Sequence, residues 1–205
     1  MKLVTIQASA IKSTFEVLKD ILNDVNVYFN PDGMTITSLD TARVALVDVF
    51  LSADNFDEYT CENPIIAGIN ITNTFKLLKT ITNNDVLTLS VSSKEFMDIE
   101  ITSEAKKTTT KFQLKLLDIN ENRIEVPTQN MTTVTTMQSA EFQRMCRDMS
   151  NIGTTVEIIR DKSFLTLKCM GDFANQDTTI ECVDESPYIS GRYSLKYMNT
   201  LTKAT

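Results

Sequence analysis

The sequence predicts an α+β fold built from a repeated unit of one strand, one helix and three strands, set out as two similar halves. Three observations predict it. Segments of period-two alternation are interrupted four times by a segment with apolar residues at helical spacing. The order strand, helix, strands then recurs along the 205 residues, and recurrence of one supersecondary unit is the mark of a repeat architecture. Between the second and third recurrence, Leu117–Asn130 has no clean period and carries Pro127, as an extended linker does.

In the first unit, Lys2–Gln7 alternates as a strand. Ser9 is the expected cap, and Ile11, Phe15, Leu18 and Leu22 follow at helical spacing. Strands are predicted at Asn26–Phe29, Met34–Ser38 and Val44–Leu51, the first two joined by the turn Asn30-Pro31-Asp32-Gly33. The second unit opens with the strand Pro64–Ile69. Asn70 or Thr72 caps a helix carrying Phe75, Leu78 and Ile81 on one face, and Asn83-Asn84-Asp85 breaks it. Strands are predicted at Val86–Val91, Phe96–Thr102 and Thr109–Leu116.

The third unit is expected to begin with a strand at Thr132–Met137. A helix runs from Ser139, with a capping-type Glu141, through Met149, and Gly153 ends it. Strands are predicted at Thr155–Ile159, Phe164–Cys169 and Thr178–Val183, with a turn near Asn175–Asp177 and a short connection at Asp184–Pro187. The fourth unit has a strand at Tyr188–Tyr193 and a helix from Ser194. By the logic of the repeat three further strands would close it, so the expected final unit is incomplete. The expected domains are 1–116, a connector at 117–130, and 131–205.

Charge is distributed unevenly. The chain has 20 Lys and Arg against 27 Asp and Glu, net −7. Yet each of the four helical segments carries two basic residues: Lys12 and Lys19, Lys76 and Lys79, Arg144 and Arg147, Lys196 and Lys203. Their spacings of 7, 3, 3 and 7 return each pair to nearly one side of its helix. These segments hold 8 basic and 4 acidic residues, leaving 12 basic and 23 acidic elsewhere. One pair alone is usually a solvated helix face. Four out of four on an acidic background describe one positive surface that can touch a polyanion.

Composition narrows the chemistry. No run of about 18 apolar residues exists, so no membrane-spanning helix is expected, and the N-terminus lacks the apolar stretch of a signal peptide. There is no histidine, which removes Ser-His-Asp and Cys-His nucleophile systems and histidine-based zinc sites. No phosphate-cradling glycine motif occurs. The four cysteines, Cys61, Cys146, Cys169 and Cys182, have no CxxC spacing and read as reduced core thiols. Asp40 with Asp48, and the run Asp54–Glu58, are the carboxylates that a metal would use. Solvated surface is the plainer reading of both, and no metal or cofactor is expected.

Several segments resemble the proliferating cell nuclear antigen family of sliding clamps. Leu18–Asp20 (LKD), Ser38–Val47 (SLDTARVALV), the Leu116–Ile119 and Ile124–Pro127 pair (LLDI, IEVP), Glu141–Gly153 (EFQRMCRDMSNIG) and Leu195–Thr205 (LKYMNTLTKAT) carry the resemblance. It implies the DNA clamp fold, with outer sheets and inner helices lining a ring. It also implies a processivity factor without catalytic activity, which encircles duplex DNA and tethers replication and repair enzymes. The eight helix cations fall at family positions facing DNA, for weak contacts to phosphate without sequence preference. The implied partners are double-stranded DNA, two further copies in a homotrimer, polymerases and other enzymes carrying short clamp-binding peptides, and a clamp-loading ATPase. The place of work is the nucleus in a eukaryote, or the replication site of a large DNA virus.

Two further surfaces are implied. Leu39, Arg43, Leu46, Ile124, Val126 and Pro127 would form a peptide-binding pocket, with Arg43 standing where relatives carry a smaller or imidazole side chain. On the residues alone, Leu39 and Leu46 read as core. Thr110, Phe112, Leu114, Cys146, Met149, Thr178, Ile180 and Cys182 would form the head-to-tail subunit seam, Phe112 packing near Cys146 and Met149 of the neighbour. Three other readings stay open: a monomeric viral-type processivity factor, a subunit of a heterotrimeric checkpoint-type clamp, and a carboxylate–metal nuclease.

Overall fold

Alternating burial sorts the strands of the first unit into two antiparallel sheets. The computed structural model describes residues 1–121, 123–126, 128 and 130–204, and the chain divides into a unit of residues 1–126 and a unit of residues 127–205. The first unit runs β1 (Lys2–Thr5), α1 (Ala8–Leu18), β2 (Asp24–Asn30), β3 (Gly33–Leu39), β4 (Leu46–Ser52), β5 (Glu58–Thr60), β6 (Ile65–Asn70), α2 (Ile71–Leu78), β7 (Val86–Ser90), β8 (Phe96–Ser103) and β9 (Thr108–Lys115). One sheet has the order β5-β1-β7-β8-β9 and the other β4-β3-β2-β6. Strands β2 and β8 alternate strictly, so Val25, Val27 and Phe29, and Met97, Ile99 and Ile101, enter the core with Phe15, Leu18 and Leu78 of the helices.

Local chemistry explains most boundaries. Asn70 caps α2, its Oδ1 accepting from the Asn73 amide at 2.9 Å. The break after α2 is made by Asn84 at φ 70° and by Asp85, whose Oδ2 accepts from the Thr82 amide at 2.7 Å and its hydroxyl at 2.9 Å. The predicted β2–β3 turn forms: Asn30 Oδ1 accepts from the amides of Asp32 and Gly33, and the Tyr59 hydroxyl meets both Asn30 O and Gly33 O at 2.8 Å. Ser9 does not cap α1. Ala8 is fully buried, so the helix already starts there behind Gln7, without a side-chain cap. The three-residue edge strand β5 is too short to leave a periodic signal.

The second unit runs α3 (Ser139–Ser150), β10 (Thr155–Met170), β11 (Asn175–Ser194) and α4 (Leu195–Leu201). β10 and β11 absorb the four predicted strands, and their register reveals how. Thr155–Arg160 pairs with Ile189–Ser194, and Phe164–Met170 pairs with Asn175–Glu181, with register breaks between Arg160 and Phe164. Val156 and Cys169 belong to one core cluster with Met149 and Leu195. A straight strand would separate residues 13 apart by about 43 Å. β10 therefore doubles back around Lys162, which sits at φ 47°. The resulting lanes, 189–194, 155–160, 164–170 and 175–181, repeat the first unit's order β6-β2-β3-β4. Buried Arg160 holds the bend. Its guanidinium donates to the carbonyls of Lys162, Phe164 and Asp184 and to the Thr135 hydroxyl.

Three expectations are corrected here. Thr132–Met137 is not a strand. Its first-unit counterpart β1 is held by β5 and β7, and no such partner strand occurs among the described residues of the second unit. The turn near Asn175–Asp177 lies earlier, at Gly171–Ala174, because Asn175 already pairs with Met170. Gly153 does take the closing hydrogen bond to Met149 O at 3.0 Å, but it does not adopt a left-handed conformation. Glycine is needed there because a Cβ would lie 2.6 Å from Met170 O.

A candidate nucleic-acid interface and two partner surfaces

In each unit the two helices lie against one another. In the first, Lys12 and Lys19 of α1 are half-buried and reach toward α2. Lys12 Nζ donates to Ile81 O at 2.8 Å. Lys19 pairs with Asp20 at 2.8 Å and stands 5.2 Å from the centre of the Phe75 ring. Lys76 is exposed and meets Asn73 Oδ1 at 3.2 Å, and Lys79 is exposed at the C-terminus of α2. In the second unit Arg144 and Arg147 of α3, Lys196 of α4 and Lys203 after it are exposed. Asn199 Nδ2 donates to Cys146 O at 3.4 Å and Gln143 Nε2 to Thr202 O at 3.0 Å, which fixes α4 against α3.

The reason for this placement is helical period. α3 turns Met145, Cys146 and Met149 inward onto β10, and Arg144 and Arg147 therefore outward. Lys19, Lys79 and Arg147 also sit at or in the last turn of their helices, where the helix dipole favours a cation. Long, flexible ammonium and guanidinium groups on such a face suit phosphate oxygens rather than base edges.

The described residues expected at a peptide pocket, Leu39, Arg43, Leu46, Ile124 and Val126, lie in the first unit. Leu39 and Leu46 face each other across β3 and β4 and are each 38% exposed, so they are not core residues. The loop between them is built by buried Asp40. Its carboxylate accepts from the amides of Val44 at 2.7 Å, Ala45 at 2.9 Å and Ala42 at 3.3 Å. That cage places exposed Arg43 at φ 55° beside Val44, which is 76% exposed. Ile124 is half-buried and Val126 exposed, and Pro127 lies outside the described residues.

Leu117 and Ile119 run over the four-stranded sheet of the same unit. Leu117 bridges Gly68, with its amide 2.8 Å from Gly68 O, and Asn26 Nδ2 donates to Ile119 O at 3.0 Å. A Cβ on residue 68 would stand 2.1 Å from Leu117 O, so only glycine admits this crossing. The Arg123 guanidinium lies 5.2 Å from the centre of the Tyr28 ring. Gly68, Asn26 and Arg123 are contact positions of this segment that periodicity did not reveal. The isolated glycine inside a strand pattern was the signal for a close backbone approach.

Of the residues expected at a seam, Thr110, Phe112 and Leu114 lie on β9, which among the described residues pairs only with β8 and leaves one edge open. Thr178, Ile180 and Cys182 lie on β11, where Asn175–Glu181 pairs, among the described residues, only with Phe164–Met170. Cys146 and Met149 lie inside their own unit. They are 1% and 0% exposed within their own unit's core, and Ile180 and Cys182 pack against them. The cysteines are free, and burial pushes the thiols of Cys61, Cys146 and Cys169 up, away from the reactive thiolate.

Of the carboxylates a metal would use, Asp40, Asp48, Asp57 and Glu58 are taken up by hydrogen bonds and ion pairs. Asp48 accepts from the Thr37 hydroxyl, Asp57 from the Ile6 amide, and Glu58 pairs with Lys2 at 2.9 Å. Among the described residues no three metal-ligating side chains converge, and no helix is long and apolar enough to cross a membrane.

A doubled unit of two helices against antiparallel sheets, with exposed cations at α2, α3 and α4, is the architecture of a sliding clamp. The chain matches the N-terminal domain of proliferating cell nuclear antigen over residues 1–124 and the C-terminal domain over residues 125–205, and it belongs to that family. It is 36% identical to "Probable DNA polymerase sliding clamp 1" of Paramecium bursaria Chlorella virus 1, over 98% of this chain and 82% of the relative. It is 31% identical to proliferating cell nuclear antigen of Chaetomium thermophilum, over 97% of this chain and 82% of the relative.

Proposed function

We propose that this protein is a DNA polymerase processivity factor, a sliding clamp that encircles duplex DNA and tethers replication and repair enzymes to it. The observation that carries the reading is the exposed cation set Lys76, Lys79, Arg144, Arg147, Lys196 and Lys203 on a chain whose net charge is −7. A polymerase held by a closed ring leaves DNA only when the ring opens, so residence is decided by topology and the ring's grip on phosphate stays weak. On this reading three copies join head to tail through β9 and β11 to make the ring, and a clamp-loading ATPase opens it. Leu39, Leu46, Ile124 and Val126 take the short apolar peptides of client enzymes, as one peptide-recognition surface on a sheet edge and its crossing segment. No side chain is given a catalytic role. The place of work is the nucleus in a eukaryote or the viral replication site.

The test is the salt dependence of DNA association. Replacing Lys79, Arg144, Arg147 and Lys196 together by Ala is expected to lower the slope of log K against log salt by about 0.9 for each phosphate no longer neutralised. Clamp-dependent processivity in primer extension is expected to fall with it. An unchanged slope and unchanged processivity refute the assignment of these helices to DNA.

A further inference from the structure

The solvent faces of the two sheets carry charge in a regular order that stops at each open edge. On the second unit, one row across the lanes reads Arg192, Glu157, Lys168, Asp177. The register pairs Glu157 with Arg192 and Lys168 with Asp177, and the corresponding ion pairs measure 3.7 and 3.8 Å. Glu157 and Lys168 line one shallow cleft with Asp177 and Arg192, as neighbouring lanes of the doubled-back β10. The signs therefore run plus, minus, plus, minus and end at Asp177, on the edge that pairs with nothing else. On the first unit the order starts at the open edge. Lys111 of β9 lies opposite Glu100 of β8, 2.9 Å away.

The edges also differ in overall sign. β9 carries Lys111 and Lys115 and no acid, and Asn175–Glu181 carries Asp177 and Glu181 and no base. Two copies of the same edge would set like charges side by side, which is unfavourable across strands. The two different edges attract. Resting on the head-to-tail seam proposed above, we infer that charge selects its partner and its register: Lys111 of one copy lies opposite Asp177 of the next. The alternation then runs unbroken over six strands, Arg192, Glu157, Lys168, Asp177, Lys111, Glu100.

Antiparallel pairing at this register sets Thr109 opposite Thr179 and Gln113 opposite Asn175, polar against polar on the solvent face. Glu181 comes opposite the turn that carries Lys106 and Lys107. On the other face Thr110 meets Thr178, Phe112 meets Gln176 and Leu114 meets Ala174. A shift by one residue would turn Asp177 against the half-buried Phe112 side of β9. A shift by two would set Asp177 against Gln113 or Thr109 and lose the pairing. The partner that fits β9 is therefore a second copy of this chain, presenting its acidic edge.

The experiment is the mass of the full chain in solution, by light scattering over a concentration series, for Lys111→Glu, Asp177→Lys and the double exchange. One exposed cross-strand ion pair is worth about two- to fivefold in an association constant, and three seams compound to about 10–100-fold for a closed ring. Each single exchange is expected to weaken assembly at least that much, and the double exchange to restore it. Weakening that fades at high salt is expected as well. Lys111→Glu also sets a second acid beside Glu100, so Lys111→Gln and Asp177→Asn are measured alongside, at matched unfolding midpoints. Single exchanges that assemble like the parent chain overturn the charge-set register and leave the seam standing. A parent chain that stays monomeric at every concentration overturns both.

Discussion

Gly68→Ala isolates the contact that seats Leu117 and Ile119 on the first unit. The added methyl would meet Leu117 O at 2.1 Å, Leu117 C at 3.0 Å and Ile119 Cδ1 at 3.2 Å. Two of these atoms are backbone, so a rotamer change cannot relieve the clash. The segment must lift from β6. Lifting breaks the Leu117 amide bond to Gly68 O and the Asn26 bond to Ile119 O, about 1 kcal/mol each. It also separates Arg123 from Tyr28, at about 0.5–1 kcal/mol for an exposed site. Alanine returns about 0.5 kcal/mol through the lower entropy of the unfolded chain. The net expected loss is about 2 kcal/mol, a fall of roughly 1 M in the urea midpoint for a slope near 2 kcal/mol/M. Urea unfolding followed by circular dichroism measures it, and hydrogen exchange at the Leu117 amide reports the lifting directly. A midpoint within about 0.2 M of the parent, with Leu117 still protected, would refute the reasoning.

Two further outcomes are expected from buried polar groups. The Asp85 carboxyl is held below the usual range, first by the Thr82 amide, with burial opposing and the Ser103 and Thr82 hydroxyls assisting. Its contribution to stability is present above the ordinary carboxylate range and is lost as pH falls through that range toward the lower folded value. Asp85→Asn should cost about 1–3 kcal/mol at neutral pH and flatten the acid limb of the stability profile; an acid limb like the parent's would reject the assignment. The Tyr59 hydroxyl is pushed up to about 12, first by burial and then by Cys61. Its contribution is complete below about pH 10 and is lost between about 10 and 12, as the unfolded phenol ionises first. Tyr59→Phe strips the donor from Asn30 O and Gly33 O, and is expected to cost about 1–2 kcal/mol and to lose the fall in stability across that pH window. Equal alkaline profiles for variant and parent would exclude Tyr59 as the titrating group.

Where a strand or helix makes its own pairing and period, it is legible in the residues alone. The β2–β3 hairpin follows from Asn30-Pro31-Asp32-Gly33, and α2 from Asn70 and the Phe75, Leu78, Ile81 spacing. The strand expected at Thr132–Met137 fails because alternation says nothing about whether a partner edge is present. Cys146 and Met149 were expected at a seam although they share the inward face of α3, which the same spacing argument could have assigned to the core.

By itself the sequence determined the repeat of strand, helix and strands, the excess of cations on four helix faces, and the absence of histidine chemistry. These are local or countable properties, set by side-chain period and composition. Only the tertiary structure decided that β10 doubles back at Lys162, that Leu117 and Ile119 cross the sheet at Gly68, that Lys12 and Lys19 are tied between helices, and that opposite signs face outward on the open edges of β9 and β11. Each of those depends on residues far apart in the chain meeting at one place, and the period of a single segment carries no record of what it meets.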